Sequence, residues 1–175
     1  MNDLRSLTLP ALEKEFRLLG LEKYRAKQVF AWLHRDGKRV DRFEDMTDLP
    51  LRVRTLLAGR YRVGTLRVVR RQLSRLDGTQ KLLLEAADGS RVEAVWMEYH
   101  HGNTVCISTQ VGCRMGCRFC ASTLGGLVRD LTPGEMLEEV YTLERVCAPQ
   151  GQKVGGVVLM GIGEPLDNFE NVCAF

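Results

Sequence analysis

The chain has 175 residues, 45% hydrophobic and 27% charged, with a formal net charge of +3. That balance is globular and excludes a disordered chain, and the charged opening "MNDLRSLTLPALEKEF" leads us to expect no signal peptide. The longest uncharged apolar run, "VGGVVLMGIG" at 154–163, is far below the ~20 residues of a membrane span, so a soluble cytoplasmic protein is expected.

Residues 9–36 predict two helices. "LPALEKEFRLLG" has Pro10 near its start and Gly20 as a stop, and "EKYRAKQVFAWLHRDG" ends at Gly37. In the second, Ala26, Val29, Phe30 and Leu33 recur at helical spacing and face a core, with Trp32 beside them. "DLPLRVRTLLAGRY" predicts a third helix, with Asp48 near the cap and Pro50 in its first turn. From Gly64 the pattern turns to β: Asp-Gly turns at 77–78 and 88–89 separate three antiparallel strands. "TVCISTQVG" (104–112) reads as a fourth strand running into a cysteine-rich loop. "TPGEMLEEVYTLERVCA" (132–148) follows as a helix capped by Thr132, its acidic run a solvated face. "KVGGVVLMGIGEP" is a buried strand ending in a glycine-rich turn, and "DNFENVCAF" begins another helix. Strand, helix, strand, helix is the pattern of a parallel sheet. Two such units do not close a barrel, so the chain reads as an N-terminal fragment of a longer enzyme.

The charge is uneven. Residues 1–75 hold 18 Lys/Arg against 9 Asp/Glu, while residues 76–175 hold 7 against 13. The stretch "RYRVGTLRVVRRQLSR" (60–75) is the most basic. It suits a nucleic-acid contact, because neutralising phosphates releases counterions; a solvated, arginine-rich face is the alternative.

Six cysteines in a reducing compartment are more often metal ligands or catalytic thiols than disulfides. "GCRMGCRFCASTLGG" (112–126) sets Cys113, Cys117 and Cys120 in C-x3-C-x2-C. Three thiolates on one loop suit a [4Fe–4S] cluster with one iron left open. Met115–Gly116 lets the loop wrap a cube and Phe119 shields it from water. A zinc knob completed by Cys106, or unligated buried cysteines, are the other readings.

These residues resemble the radical S-adenosylmethionine superfamily, and "MGIGEP" (160–165) matches its Gly-Glu motif. The wider stretches "HGNTVCISTQVGCRMGCRFCASTLGGLVRDLTPGEM" and "VLMGIGEPLDNFENV", with "LEKYRAKQVFAWLH" upstream, resemble the ribosomal RNA adenine-C2 methyltransferase family over nearly the whole chain. The resemblance implies an α/β fold in three parts: a helical RNA-binding domain over 1–62, a small antiparallel β extension over 63–103, and from 104 to 175 the first two βα units of a truncated radical-SAM partial TIM-like barrel. It implies that Cys113, Cys117 and Cys120 hold the cluster and that Gly163 and Glu164 meet S-adenosylmethionine, which serves as methyl donor and radical source. It implies that Glu93 accepts the adenine carbon-2 proton and that Cys106 is the thiol that resolves the enzyme–RNA adduct through a transient disulfide.

On the residues alone, Glu93 shares an alternating strand face with Val95 and Met97, which leads us to expect a partly desolvated carboxylate with a raised pKa; an exposed strand glutamate is the alternative. Cys106 alone reads as a buried strand cysteine. The implied partners are 23S rRNA, tRNA and an electron donor such as flavodoxin, with the enzyme a monomer. The methyl-carrying cysteine is expected beyond Phe175, since neither Cys147 nor Cys173 matches it. His34, His100 and His101 are assigned no catalysis. Two further readings stay open: a sister enzyme methylating adenine carbon 8, and a non-enzymatic zinc and RNA-binding module.

Overall fold

The computed structural model describes residues 2–100, 102–148 and 152–175, so His101 lies outside the described residues. The chain divides into two compact units, one ending at Thr65 and the other starting at Leu66. Each has its own apolar core.

The first unit runs β1 (Asn2–Asp3), α1 (Leu9–Leu18), α2 (Lys23–His34), α3 (Leu51–Ala58) and β2 (Tyr61–Arg62), with β1 and β2 paired in parallel. Both longer helices form where the apolar residues recur at helical spacing. Leu12 and Phe16 of α1 and Ala26, Val29 and Leu33 of α2 are fully buried in one cluster with Val53 and Leu57 of α3. Phe30 is only partly buried against that core and packs on the His34 ring at 4.4 Å. Burial and the nearby Arg5 and Arg39 charges lower His34 to about 4, so it is neutral at pH 7. Asp48 does not cap α3. Pro50 takes the cap position, and the Asp48 carboxylate instead accepts from Trp32 Nε1 at 2.5 Å. Arg5 is buried, and its guanidinium donates to the carbonyls of Gly64 (2.6 Å) and Val40 (3.0 Å) and to Asp41 (3.1 Å), so the buried charge is paired and hydrogen-bonded.

The second unit runs β3 (Arg67–Leu73), β4 (Gln80–Glu85), β5 (Arg91–Tyr99), β6 (Gly102–Cys106), β7 (Gln110–Gly112), β8 (Leu127–Asp130), α4 (Pro133–Cys147), β9 (Val154–Val158) and α5 (Phe169–Ala174). Its main sheet has the order β3-β4-β5-β6-β9. The first four strands are antiparallel neighbours, and β9 joins β6 in parallel after the α4 crossover. The Asp-Gly turns close the β3–β4 and β4–β5 hairpins as expected. One sheet face, with Leu82, Leu84, Val92, Ala94, Trp96, Val105 and Ile107, forms the core with Met136, Leu143 and Cys147 of α4. Thr132 and Glu135 form the reciprocal capping box that starts α4.

Three expectations change. "TVCISTQVG" is not one strand: β6 stops at Cys106, and β7 leaves the sheet to pair with β8 in a separate two-stranded ribbon. The break falls where Ser108, Thr109 and Gln110, all buried and polar, take hydrogen-bond partners beyond β5 and β9. The acidic run of α4 is not a solvated face. Glu138 and Glu139 are fully buried, Glu138 pairing with Arg145 at 2.6 Å and Glu139 accepting from the Ser108 N–H at 3.0 Å. Nor is β9 a buried strand. It lies at the edge of the sheet among the described residues, with Gly155 and Val157 exposed.

Candidate active site

The three-cysteine loop is the long connection of the β7–β8 ribbon, a placement the sequence reading missed. Its mouth is pinned where the Cys113 N–H donates to the Gly126 carbonyl at 3.1 Å. Gly112 has φ +75°, and a Cβ there would sit 1.9 Å from the Gly126 oxygen, so only glycine fits. Cys113 is buried, Cys120 half-buried and Cys117 exposed. The Cys120 N–H closes a turn onto the Cys117 carbonyl at 3.0 Å. Hydrogen bonds from the Ser122 hydroxyl and amide lower the Cys120 thiol below the usual cysteine range, towards thiolate.

The glycine-rich turn after β9 faces this loop. The segment from 107 to 110 holds it. The Ile162 carbonyl accepts from the Thr109 N–H (2.9 Å) and the Gln110 N–H (3.2 Å), and the Ile162 N–H donates to Ser108 Oγ at 3.0 Å. The Glu164 N–H donates to Gln110 Oε1 at 2.9 Å. Gly163 has φ +105°, and a Cβ there would come within 2.7 Å of the Gln110 backbone nitrogen. The second glycine of "GIG" is therefore demanded by close approach as well as by backbone angle.

Loop and turn enclose an open cleft of about 450 Å³, lined by Cys113, Cys117, Cys120, Met160, Gly163 and Glu164 among others. Phe119 also lines it but is 94% exposed, so it does not shield the cleft from water. A second cleft, of about 460 Å³, lies on the sheet face away from α4 and is lined by Val95, Met97, Thr104, Cys106, Val158 and Met160. Met160 belongs to both.

Cys106 stands opposite Val95 in the β5–β6 register, so Glu93, two residues along β5, lies diagonal to it on the same face. Glu93 does share its face with Val95 and Met97, opposite the buried Val92, Ala94 and Trp96. It is half-buried, its side chain 44% exposed, and it pairs with Lys81 Nζ at 2.9 Å. Burial, reinforced by the nearby Glu139, pushes the Cys106 thiol above its usual value, against an opposing hydrogen bond from the Met160 N–H. His100 is exposed on the sheet's far end. Cys147 is buried in the core and Cys173 is exposed on α5.

The three thiols are the soft donors that an iron–sulfur cluster takes. Soft sulfurs ring one cleft, yet among the described residues no three His, Cys, Asp or Glu side chains converge on one metal position. Cys106, the residue that would complete a zinc tetrahedron, lines the other cleft.

Residues 2–63 match the family described as the ribosomal RNA large subunit methyltransferase N-terminal domain. The chain is 49% identical over 173 residues to the probable dual-specificity RNA methyltransferase RlmN of Lachnoclostridium phytofermentans, a match covering 99% of this chain and 47% of that protein. The chain aligns with about half of each of these RlmN relatives. The RlmN protein of Symbiobacterium thermophilum is 50% identical over 154 residues, 88% of this chain and 41% of its own length. The chain thus spans about half the length of the curated relatives it matches. Its mixed α/β fold matches the crystal structure of a radical SAM methyltransferase from Sphaerobacter thermophilus with a TM-score of 0.88 at 39% identity, over 99% of this chain and 50% of that one. Among the described residues, no helix is long and apolar enough to cross a membrane.

The sequence reading of this RlmN-like chain passed over Ser108, Gln110, Arg114 and Asp167, which hold the site together. For Ser108 and Gln110 the only sequence signal is a run of polar residues, "STQ", inside an otherwise apolar stretch, and Arg114 and Asp167 carry none.

Proposed function

We propose that the protein of which this chain forms the N-terminal half is a radical S-adenosylmethionine enzyme that methylates carbon 2 of adenine in 23S rRNA and in tRNAs. One observation carries the reading: three cysteines and a Gly-Glu turn line a single cleft, and a thiol and a carboxylate share the adjoining sheet face. The names of the RlmN relatives and of the matching radical SAM structure support it.

In this reading Cys113, Cys117 and Cys120 hold a [4Fe–4S] cluster, and Gly163 and Glu164 meet S-adenosylmethionine beside it. A cluster held there would supply an electron, taken from a donor such as flavodoxin, for cleavage of S-adenosylmethionine to methionine and a 5′-deoxyadenosyl radical. The Gly163–Glu164 backbone, fixed by Ser108 and Gln110, orients the cofactor. Glu93 accepts the proton from adenine carbon 2. Its half-exposed carboxylate is reachable from solvent and from RNA, and Lys81 pairs with it until substrate arrives. Cys106 then loses its proton and attacks the sulfur that links protein to RNA. A disulfide forms, the carbon–sulfur bond breaks with its electron pair left on the carbon, and that carbon takes up a proton to become the methyl group of the released base. The methyl-carrying cysteine belongs to the part of the protein outside this chain.

The test uses the full protein with Cys106→Ala. The variant should still attack adenine but fail to release it, so protein covalently joined to labelled RNA accumulates on a denaturing gel. Release of methylated RNA at the unaltered rate would show that Cys106 does not resolve the adduct.

A further inference from the structure

The three-cysteine loop must present its thiols before any cluster is bound, so what holds it matters. Within the loop there are only local turns: Cys120 onto Cys117, Thr123 onto Cys120, Leu124 onto Ala121 and Gly126 onto Thr123. Beyond its pinned mouth, one side-chain contact leaves it among the described residues. Arg114 donates through Nε (3.2 Å) and Nη2 to Asp167 Oδ1, which lies 53 positions along the chain, just past the Gly-Glu turn. Asp167 is only 12% exposed, while Arg114 reaches it from a side chain that is 62% exposed.

Asp167 is itself held from behind. Its Oδ2 accepts from Gln110 Nε2 at 3.0 Å, and the same amide donates to Asp130 Oδ1 of β8 at 2.8 Å. The other end of Gln110 accepts the Glu164 N–H. Gln110 is fully buried and its amide oxygen and nitrogen are both engaged, so it has one orientation. The two oxygens of Asp167 are thus shared between a rigid element, the Gln110 side chain, and a movable one, the loop arginine. An acceptor fixed on one side and charge-paired on the other is the arrangement of a latch.

We infer that Asp167 is a positioning residue that latches the three-cysteine loop to the Gly-Glu turn, through Arg114 on one side and Gln110 on the other. It fixes the spacing between the thiols and the turn before either binds anything. The inference rests on the proposed cluster reading for its purpose, but not for its geometry.

The test is a four-cornered comparison in the full protein: unaltered, Arg114→Glu, Asp167→Asn, and both together. Arg114→Glu sets two carboxylates against each other and should free the loop. With Asp167→Asn added, the new amide can donate to the carboxylate at 114 while its oxygen still accepts from Gln110, so the loop should close again. The first readout is trypsin cutting after Arg118, which all four proteins retain, measured without iron. Cutting should be about fivefold faster in Arg114→Glu and return to within about twofold of the unaltered rate in the double variant. The second is the rate at which the reconstituted protein loses iron to a chelator, which should follow the same order. Equal cutting in all four, or a double variant cut as fast as Arg114→Glu, overturns the latch. Cutting that follows the cycle in a protein that takes up no cluster supports the latch and contradicts the cluster reading alone.

Discussion

Half-buried Cys106 and fully buried Glu139 show how burial acts on single groups here. The Cys106 thiol lies between β5 and β9, and burial raises its pKa above the usual cysteine value. In the proposed role the attacking species would be the thiolate, of which only a small fraction is present at neutral pH. Resolution of the RNA adduct should therefore speed up as pH rises and keep rising past the ordinary thiol range. Single-turnover release measured against pH checks this, and a rate that levels off below pH 8 would speak against a desolvated thiol.

Glu139 is fully buried, with one oxygen on the Ser108 N–H and the other, Oε1, lacking a partner. Burial raises its pKa well above the usual carboxylate value. The folded protein therefore binds a proton that the unfolded chain has released. The stability contributed by this group is present below the unfolded pKa and is lost as pH rises through the folded one. Glu139→Gln keeps an acceptor for Ser108 and removes the titration. It should raise stability at pH 8 by roughly 1 kcal/mol or more, with little change at pH 4. Denaturant melts at the two pH values check it.

Among the elements, α4 owes its start to Thr132 and Glu135. The Thr132 hydroxyl accepts from the Glu135 N–H at 3.2 Å, and a Glu135 oxygen accepts from the Thr132 N–H at 2.9 Å. Glu135 also takes a two-pronged contact from Arg129 of β8, so the cap ties the helix to the ribbon that carries the cysteine loop. Thr132→Ala should lower stability by about 1 kcal/mol, seen as a lower denaturant midpoint at unchanged slope.

That capping box was legible in "TPGE", as were the Asp-Gly hairpins and the helical spacing of Ala26, Val29 and Leu33, because each is written in neighbouring residues. The cleft was legible in part, since cysteine spacing and "GEP" are local signals too. What escaped depends on partners far along the chain. The strand 104–112 breaks because Ser108, Thr109 and Gln110 bond to residues 15 to 59 positions away. Glu138 and Glu139 look solvated in sequence, and only the fold brings Arg145 and the Ser108 N–H to them. For Glu93 alternation gave the face, and the residue is half-buried there although α4 covers the other face of the sheet.

At the scale of the whole chain the charge is uneven, and its boundary does not coincide with that between the two cores. Residues 1–75 carry the basic excess, and Arg60, Arg62, Arg67, Arg70, Arg71 and Arg75 are all exposed. Some are already engaged, Arg67 with Glu85 at 2.5 Å and Arg71 with Gln80. If this stretch meets RNA, affinity of the full protein should fall steeply with salt, each neutralised phosphate adding about 0.7 to 0.9 to the slope. Replacing Arg62, Arg70 and Arg75 by Gln should weaken binding and flatten that slope by about 2. A slope unchanged by the triple substitution would remove this surface from the RNA contact.

The central claim is that the cleft between the β7–β8 loop and the turn after β9 holds the cluster. Anaerobic reconstitution of the full protein with iron and sulfide, followed by reduction with S-adenosylmethionine present, tests it most directly. Cys117→Ala should lose stable cluster absorbance and produce no 5′-deoxyadenosine, while Cys147→Ala, altered in the core and outside the cleft, should keep both. Undiminished cofactor cleavage by Cys117→Ala would contradict the account.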